Sequence, residues 1–505
     1  MNQQQKTPGK CVSVLGTGSD VGKSIVATAI CRILKNKGHH VSPYKAQNMS
    51  NNSAVTEDGG EMGRAQVVQA QASKIEPTVD MNPVLLKPCS DTGSQVVLCG
   101  SVIGDKEAGE YFKDTEFLFN EAQKSLQKLR NIYDIVVMEG AGSCAEVNLF
   151  KSDFVNFKTA QHADAPVILV ADIDRGGVFA QVIGSLAVIP ESHKKLVKGI
   201  IINRFRGDPK LFDKGIEYLE QETKIPVLGL IPYYQDIQID SEDGLQLNQF
   251  TDPEEVIDNN KIKVAVIKLP HISNFTDFAP LEYDGGIQIH YLSQLRNLSD
   301  YQLVILPGSK NVRGDIKWLN ETGWADEIVK FSKGPGQIGG ICGGYQMLGS
   351  VVRDPHGVEG KPGDINGLNV FKADTTLLAN KTLNRSEGEW LGLNQNVSGY
   401  EIHMGETTIN QSFEPAIRFK NSDKTDGIYL EEGKIWGTYF HGLFNDPAFF
   451  DAFFKQIDPD FKSQLGEGTI HQFRSHQYDL LAKHFSNYMD VDLLLKIIDE
   501  GLKEV

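Results

Sequence analysis

Short apolar runs rich in β-branched residues alternate with longer amphipathic stretches along most of this chain. CVSVLG (11–16), DIVVMEG (134–140), APVILVADID (165–174) and KGIIINRF (198–205) are almost continuously apolar. Strands of that kind are buried on both faces, as in a parallel sheet covered by helices. The segments between them, 24–37, 62–74, 116–130, 176–189 and 209–222, carry helical spacing. The alternation predicts an α/β fold on a parallel sheet. Over 236–260 the pattern lapses. DIQIDSEDGLQLNQFTDPEEVIDNN is acidic and lacks long apolar runs, so it reads as a linker. A second α/β series opens at KIKVAVIKLP (261–270). It continues through YQLVILPGS (301–309), a glycine-rich corner in GGICGGYQMLG (339–349) and GKIWGTYFHGLF (433–444). The tail reads as helical, with apolar positions in YDLLAKHF and VDLLLKII. The expected organisation is an N-terminal domain over 1–235, a linker over 236–260, a second α/β domain over 261–450 and a helical tail over 451–505.

Composition narrows the function without naming it. A chain of 505 residues exceeds one ordinary core. Its net charge of −16, with no basic stripe, argues against a nucleic-acid partner. Cysteines at 11, 31, 89, 99, 144 and 342 form no C-x-x-C pair and no Cys/His quartet. They fit neither structural zinc nor a disulfide framework, and a reducing cytoplasm is the simplest setting. MNQQQKTPGK lacks the apolar core of a signal peptide. No apolar run approaches the ~18 residues of a membrane span. Oligomeric state leaves no trace in these features.

GTGSDVGKS (16–24) ends the first strand and opens the first helix. Glycines there let backbone N–H groups turn inward around phosphate oxygens, and the helix N-terminus favours negative charge. Gly16, Gly18 and Gly22 are the candidate cradle. Lys23 is placed to reach the terminal phosphates, and the Ser24 hydroxyl to ligate Mg²⁺. The expected cofactors are therefore ATP and Mg²⁺. The standard loop would put its first glycine at Thr17, and here glycines flank that position. Mg²⁺ takes hard oxygen ligands, so nearby carboxylates matter. Glu139 in MEGAGS ends a strand where such sheets bind ligands. Asp58 and Glu61 in TEDGGEMGRAQ (56–66) are the other candidates. The loop, longer by one residue before GKS, resembles the dethiobiotin-synthetase-like branch of P-loop proteins, which phosphorylate carboxylates. That resemblance implies that Lys45 in SPYKAQNMSNNS (42–53) assists phosphoryl transfer and that Asn203 in INRF contacts adenine.

GGICGGYQMLG puts a thiol on a side-chain-poor strand-to-helix corner. A lone cysteine is most often a buried apolar residue. As a nucleophile it needs a base and oxyanion donors. Cys342 and the N–H of Gly343 lie on the corner. LPGS (306–309) offers a further N–H at Gly308 or Ser309, and His441 in GTYFHGLF is placed as a base. The pattern PG…G-x-C-x-G-x-Q-x-L with a late His resembles triad-type glutamine amidotransferase domains. These release ammonia from glutamine through a γ-glutamyl thioester. The resemblance implies that Gln346 contacts glutamine. The family's late Glu is replaced by Leu443, so the group that orients His441 is left open. This departure is similar to the cobyrinic/cobyric acid branch.

Joined, the two sites make an ATP-dependent amide ligase: one activates a carboxylate, the other supplies ammonia. YKAQNMSNNS, KPCSDTGSQVV (87–97), DIDRGGVFA (172–180), NRFRGD (203–208), SGYEIHMG (398–405) and TYFHGLF resemble the glutamine-hydrolysing cobyric acid synthase family over roughly residues 10–450. The resemblance implies amidation of the b, d, e and g carboxylates of adenosylcobyrinic acid a,c-diamide. It implies a corrinoid substrate, which no spacing or composition reveals. The alternatives are an a,c-diamide synthase and a P-loop regulatory ATPase fused to an inactive amidotransferase-like domain.

Overall fold

The structure, a computed structural model, describes residues 7–89, 93–111, 113–234, 236–240, 258, 260–465 and 469–503. Most of the expected linker therefore lies outside the described residues.

The first apolar series builds a six-stranded sheet in the order Val227–Pro232, Val197–Phe205, Val167–Asp172, Lys10–Gly16, Ile135–Glu139, Val41–Tyr44. Every neighbouring pair is parallel. Both faces are covered, which explains why these strands read as continuous apolar runs rather than alternating ones. One face carries Thr115–Ile132 and Val178–Val188. The other carries Lys23–Asn36 together with two helices from the far end of the chain, Ile470–Tyr488 and Val491–Glu500. The last two helices of the tail thus pack against the first sheet, whereas Phe453, Phe454 and Phe461 join the core of the second lobe. Leu481, Phe485, Leu494 and Ile497 are buried in the same cluster as Val12, Val14 and Ile30. The fully buried Arg32 fixes the contact through a double hydrogen bond to Asp479 (2.8 and 2.7 Å).

The second series gives the order Ile287–Leu292, Ile262–Ile267, Leu303–Leu306, Gln337–Ile341, Ile435–Thr438, Ile428–Leu430, parallel except for the last pair. Two further sheets have no counterpart in the sequence reading. Gln47–Met49, Val84–Pro88, Gly93–Leu98 and Ser101–Glu107 form a four-stranded sheet. A long antiparallel hairpin, Ala373–Trp390 with Gln395–Ile409, belongs to a seven-stranded sheet. Much of that hairpin is half-exposed and polar, as in ANKTLNRSEGE, so its pattern never resolves into a clean strand signal.

The hairpin clasps the first lobe. Lys381 pairs with Glu61 (2.5 Å), Arg385 Nε donates to the Val55 carbonyl (3.0 Å), and Tyr400 Oη donates to the Ser53 carbonyl (3.4 Å). At the near end of the linker, Asp240 is buried between Arg64 (2.7 Å) and Arg474 (3.0 Å) and accepts from Tyr283 (2.9 Å). Burial opposes its charge, but the two guanidiniums outweigh burial and hold the carboxyl below the usual carboxylate range. No helix among the described residues is long and apolar enough to cross a membrane.

Candidate active site

The first centre forms where the strand Lys10–Gly16 runs into the helix Lys23–Asn36. Gly22 lies at φ +92°, and a Cβ there would stand 2.2 Å from Asn203 Nδ2. That Asn203 amide donates to the Val21 carbonyl (3.0 Å), so Asn203 braces the loop from beneath. Gly16 is equally constrained, with Val21 Cγ2 2.7 Å from a Cβ, whereas a Cβ on Gly18 would make only an ordinary contact with Val21 Cγ1 (3.6 Å). Lys23 Nζ folds back over the loop and donates to the carbonyls of Gly18 (3.0 Å) and Gly142 (2.7 Å). Burial, then the nearby Lys45, lowers its pKa, and Glu139 works in the opposite direction.

Glu139 is the hub. It lies at the end of its strand, paired with Val14, and is buried. Its Oε1 accepts from Ser24 Oγ (2.8 Å) and Lys45 Nζ (2.9 Å), and its Oε2 from Gln69 Nε2 (2.5 Å). Burial would push its pKa up, but the Lys45 charge and these hydrogen bonds outweigh burial and hold it below the usual range. The structure thus gathers Lys23, Ser24, Lys45 and Glu139 around one loop. It places the other two acids differently. Asp58 is exposed on a turn and accepts from Thr56 Oγ1 (2.5 Å). Glu61 is buried in a separate cluster with Lys87 (2.6 Å), Lys381 and the Ser53 hydroxyl (2.8 Å).

The second centre is the cysteine corner. Cys342 sits between the strand Gln337–Ile341 and the short helix Gly343–Leu348 at φ +51°, ψ −106°. A β-carbon-bearing residue held at positive φ is strained, and such strain recurs at functional corners. The corner is tied down by Cys342 N–H donating to the Thr438 carbonyl (2.8 Å). A Cβ on Gly343 would lie 2.7 Å from Ser309 N, and one on Gly308 3.5 Å from His441 Cε1. Glycine is needed at 343 because the two expected oxyanion segments meet there. Gln346 is buried, its Nε2 donating to Tyr439 Oη (3.2 Å), and its Oε1 has no partner among the described residues.

His441 carries the deciding geometry. Its Nδ1 lies 2.6 Å from Asp277 Oδ2, while Asp277 Oδ1 accepts from the Gly442 N–H (2.9 Å). A carboxylate only accepts, so Nδ1 holds a proton and Nε2 is turned to other work. Nε2 is buried without a hydrogen bond among the described residues, and Tyr400 stacks on the ring (centroids 5.1 Å apart, planes 13° apart). Burial disfavours the charged ring. The Asp277 charge and hydrogen bond, with a contribution from the Cys342 thiol, outweigh burial and raise its pKa from 6.5 to about 10. Cys342, His441 and Asp277 therefore have the makings of a triad.

Family models cover both lobes. A CobQ/CobB/MinD/ParA nucleotide binding domain model matches residues 12–247, and a CobB/CobQ-like glutamine amidotransferase domain model matches residues 263–449. Two curated relatives are cobyric acid synthases. That of Chlorobaculum tepidum is 53% identical, spanning 97% of this chain and 98% of its own length. That of Chlorobium phaeobacteroides is 52% identical, spanning 99% of each. The chain belongs to the cobyric acid synthase family.

In this cobyric acid synthase family member, sequence reasoning missed three residues. Asp277 supplies the contact that Leu443 cannot. Leu443 itself is buried, in a short helical turn with the adjoining Phe444. Nothing in NFTDF (274–278) marks Asp277, because its partner is 164 positions away. Gln69 lies in the helix Arg64–Ala72, whose alternating AQVVQAQA shows only that it is buried on several sides. Tyr400 lies in SGYEIHMG, a stretch that carries the family resemblance but no local sign of a contact with His441.

Proposed function

We propose that this chain converts adenosylcobyrinic acid a,c-diamide to adenosylcobyric acid by amidating its b, d, e and g carboxylates with ATP and glutamine. The single observation that carries this reading is that one chain holds both the Lys23–Ser24–Lys45–Glu139 cradle and the Cys342–His441–Asp277 triad. The proposed division is a ligase domain over 1–235 and an amidotransferase domain over 261–450, joined by 236–260, with 451–505 as the tail.

In the glutaminase half, His441 Nε2 takes the Cys342 proton and the thiolate attacks the glutamine carboxamide. The tetrahedral oxyanion faces backbone N–H groups at Gly343 and at Gly308 or Ser309. Gln346 holds the glutamine. His441 returns its proton to the departing ammonia, and water then cleaves the thioester. In the ligase half, Gly16, Gly18 and Gly22 wrap the phosphates, and Asn203 borders the adenine. Lys23 and Lys45 offset charge on the transferring phosphoryl group. A corrinoid carboxylate attacks the γ-phosphorus and ADP leaves. Ammonia then displaces phosphate from the acyl phosphate to give the amide. Ser24 Oγ and Glu139 Oε1, 2.8 Å apart at the mouth of the loop, are two hard oxygens of the kind Mg²⁺ takes alongside ATP phosphates. Bound there, the ion would screen phosphate charge. Asp58 and Glu61 are the weaker candidates for it.

The test is mass spectrometry of a corrinoid panel incubated with ATP, Mg²⁺ and either glutamine or ammonium. We expect adenosylcobyrinic acid a,c-diamide to gain b, d, e and g amides from both nitrogen sources. Amidation only at a and c of an earlier corrinoid would overturn the reading. Lys23→Ala should cut turnover by ~10²-fold or more with either nitrogen source. Near-normal ammonium-dependent turnover in that variant would remove the phosphate-cradle assignment.

Glu139→Gln should raise the Mg²⁺ concentration needed for half-maximal turnover, with excess Mg²⁺ restoring part of the rate. A neutral amide is a poorer ligand for a hard cation. It also releases the hold on Lys45. An unchanged Mg²⁺ titration would leave Glu139 as the anchor of Lys45 alone and move the ligand search to Asp58 and Glu61.

A further inference from the structure

The turn that carries Asp277 is tied to the opposite lobe. Asp277 stands in a single helical turn, Phe275–Phe278, that begins at Asn274. Asn274 is buried and held at φ +52°, and its carbonyl accepts the Asp277 N–H (3.1 Å). Its side-chain Oδ1 reaches into the first lobe, where it accepts the backbone N–H of Ser53 (3.2 Å). The Ser53 carbonyl is taken by the other lobe as well. Tyr400, whose ring lies on His441, donates its hydroxyl to it (3.4 Å). Both backbone polar groups of one residue therefore bond to residues that touch the triad.

Ser53 is a firm anchor. It is fully buried, its Oγ donates to Glu61 (2.8 Å), and it accepts from Lys87 (2.8 Å). The strand Ser53–Val55 pairs antiparallel with Glu61–Gly63. The same stretch of chain, 45–53, starts at Lys45, whose ammonium is clamped on Glu139 in the first centre. A positive-φ asparagine at the head of a one-turn helix is an odd support for a catalytic carboxylate. Among the described residues its side chain makes no capping bond to its own turn and instead accepts across the lobes from Ser53.

We propose that Asn274 is a positioning residue for glutamine hydrolysis. It fixes the 275–278 turn, and with it Asp277 and His441, to the Ser53 backbone of the ligase lobe, so that the base is aligned only when the two lobes are docked. The inference rests on the glutaminase reading of Cys342 and goes beyond it by assigning part of that centre's geometry to the opposite lobe.

The experiment compares full-length Asn274→Gly and Asn274→Asp with wild type. Glycine tolerates φ +52° but removes the acceptor, and aspartate keeps an acceptor. Glutamate release, ammonium-dependent amidation and the pH dependence of Cys342 alkylation are measured for each. Asn274→Gly should lose ~10-fold in kcat for glutamine hydrolysis with little change in KM, because misalignment of a base slows chemistry more than binding. Its alkylation profile should move to higher pH, ammonium-dependent amidation should hold, and Asn274→Asp should recover most of the kcat. Wild-type kcat and pH profile in Asn274→Gly would overturn the proposal, whatever happens to its melting temperature. If Asn274→Gly loses ammonium-dependent amidation too, it has misfolded and Tyr400→Phe decides. That variant keeps the ring on His441 and deletes only the bond to Ser53. A lowered glutaminase kcat with intact ammonium-dependent amidation supports the link, and wild-type kcat overturns it. Glutamine hydrolysis persisting in Cys342→Ser would instead defeat the glutaminase reading itself.

Discussion

Cys342→Ser will abolish glutamine-dependent amidation and leave ammonium-dependent amidation near the wild-type rate. The hydroxyl is a far weaker nucleophile than a thiolate and has no comparable ion pair with an imidazolium, so the loss should reach ~10³-fold or more. The change removes little volume, and the corner is held by backbone contacts, Cys342 N–H to the Thr438 carbonyl and Gly343 against Ser309. The fold should therefore survive it. The measurement is amide formation with glutamine and with ammonium chloride in parallel, at a pH high enough to supply free ammonia. Loss of both activities in a folded variant would mean that Cys342 also serves the ligase half.

The selectivity of that result depends on two centres that were unequally legible in the sequence. The ligase centre was easy to read. Its strand, loop and first helix are contiguous, and the crowding at Gly16 and the positive φ of Gly22 are local, so the pattern GTGSDVGKS carries them, although the contact of Gly22 with Asn203 comes from a distant strand. Glu139 could be picked out because a parallel sheet delivers the ends of its apolar strands to one edge. Four of the six parallel strands follow directly from apolar runs that only a doubly covered sheet can hide; Val41–Tyr44 and Val227–Pro232 are not among those runs. The amidotransferase centre was half legible. Cys342, Gly343 and Gln346 share one motif. Asp277 reaches His441 only through the folded chain, and neither flank of it has a helical or strand period. The same holds for the tail. Its helical spacing was plain, but nothing local says that Leu481 and Ile497 lie on the first sheet and not the second. The half-exposed hairpin over 373–409 hid for the opposite reason, since polar residues on both faces erase the alternation that marks a strand.

Asp277→Asn tests the part of the site that the sequence did not reveal. An asparagine can still accept the Gly442 N–H through its amide oxygen. Its amide nitrogen would then face His441 Nδ1 as a donor, which forces Nδ1 to accept and puts the ring proton on Nε2. That tautomer cannot take a proton from Cys342. The analogous change in serine hydrolase triads costs ~10⁴-fold in kcat, and we expect ~10²–10⁴-fold here. The charge argument gives an independent readout. In the wild type, Asp277 overrides burial and raises His441 to about 10, so the imidazolium that forms when Nε2 takes the Cys342 proton is stabilised through neutral pH. Removing the carboxylate leaves burial in control and discharges the ring. Alkylation of Cys342 by a glutamine-analogue electrophile should then need higher pH, because the base that takes the thiol proton is weaker. Stability follows the same linkage. A pKa raised from 6.5 to about 10 on folding contributes stabilisation that is complete below 6.5 and is lost as pH rises through about 10. The melting-temperature gap between wild type and Asp277→Asn should therefore be widest at pH 6.5 or below and close toward pH 10. Leu443→Ala is the matched control. It empties a buried site next in chain to Phe444 and should cost ~2–5 kcal/mol of stability, yet leave the alkylation profile in place. If Asp277→Asn and wild type give superimposable alkylation profiles and a pH-independent stability difference, Asp277 is a packing residue and His441 is oriented by something else.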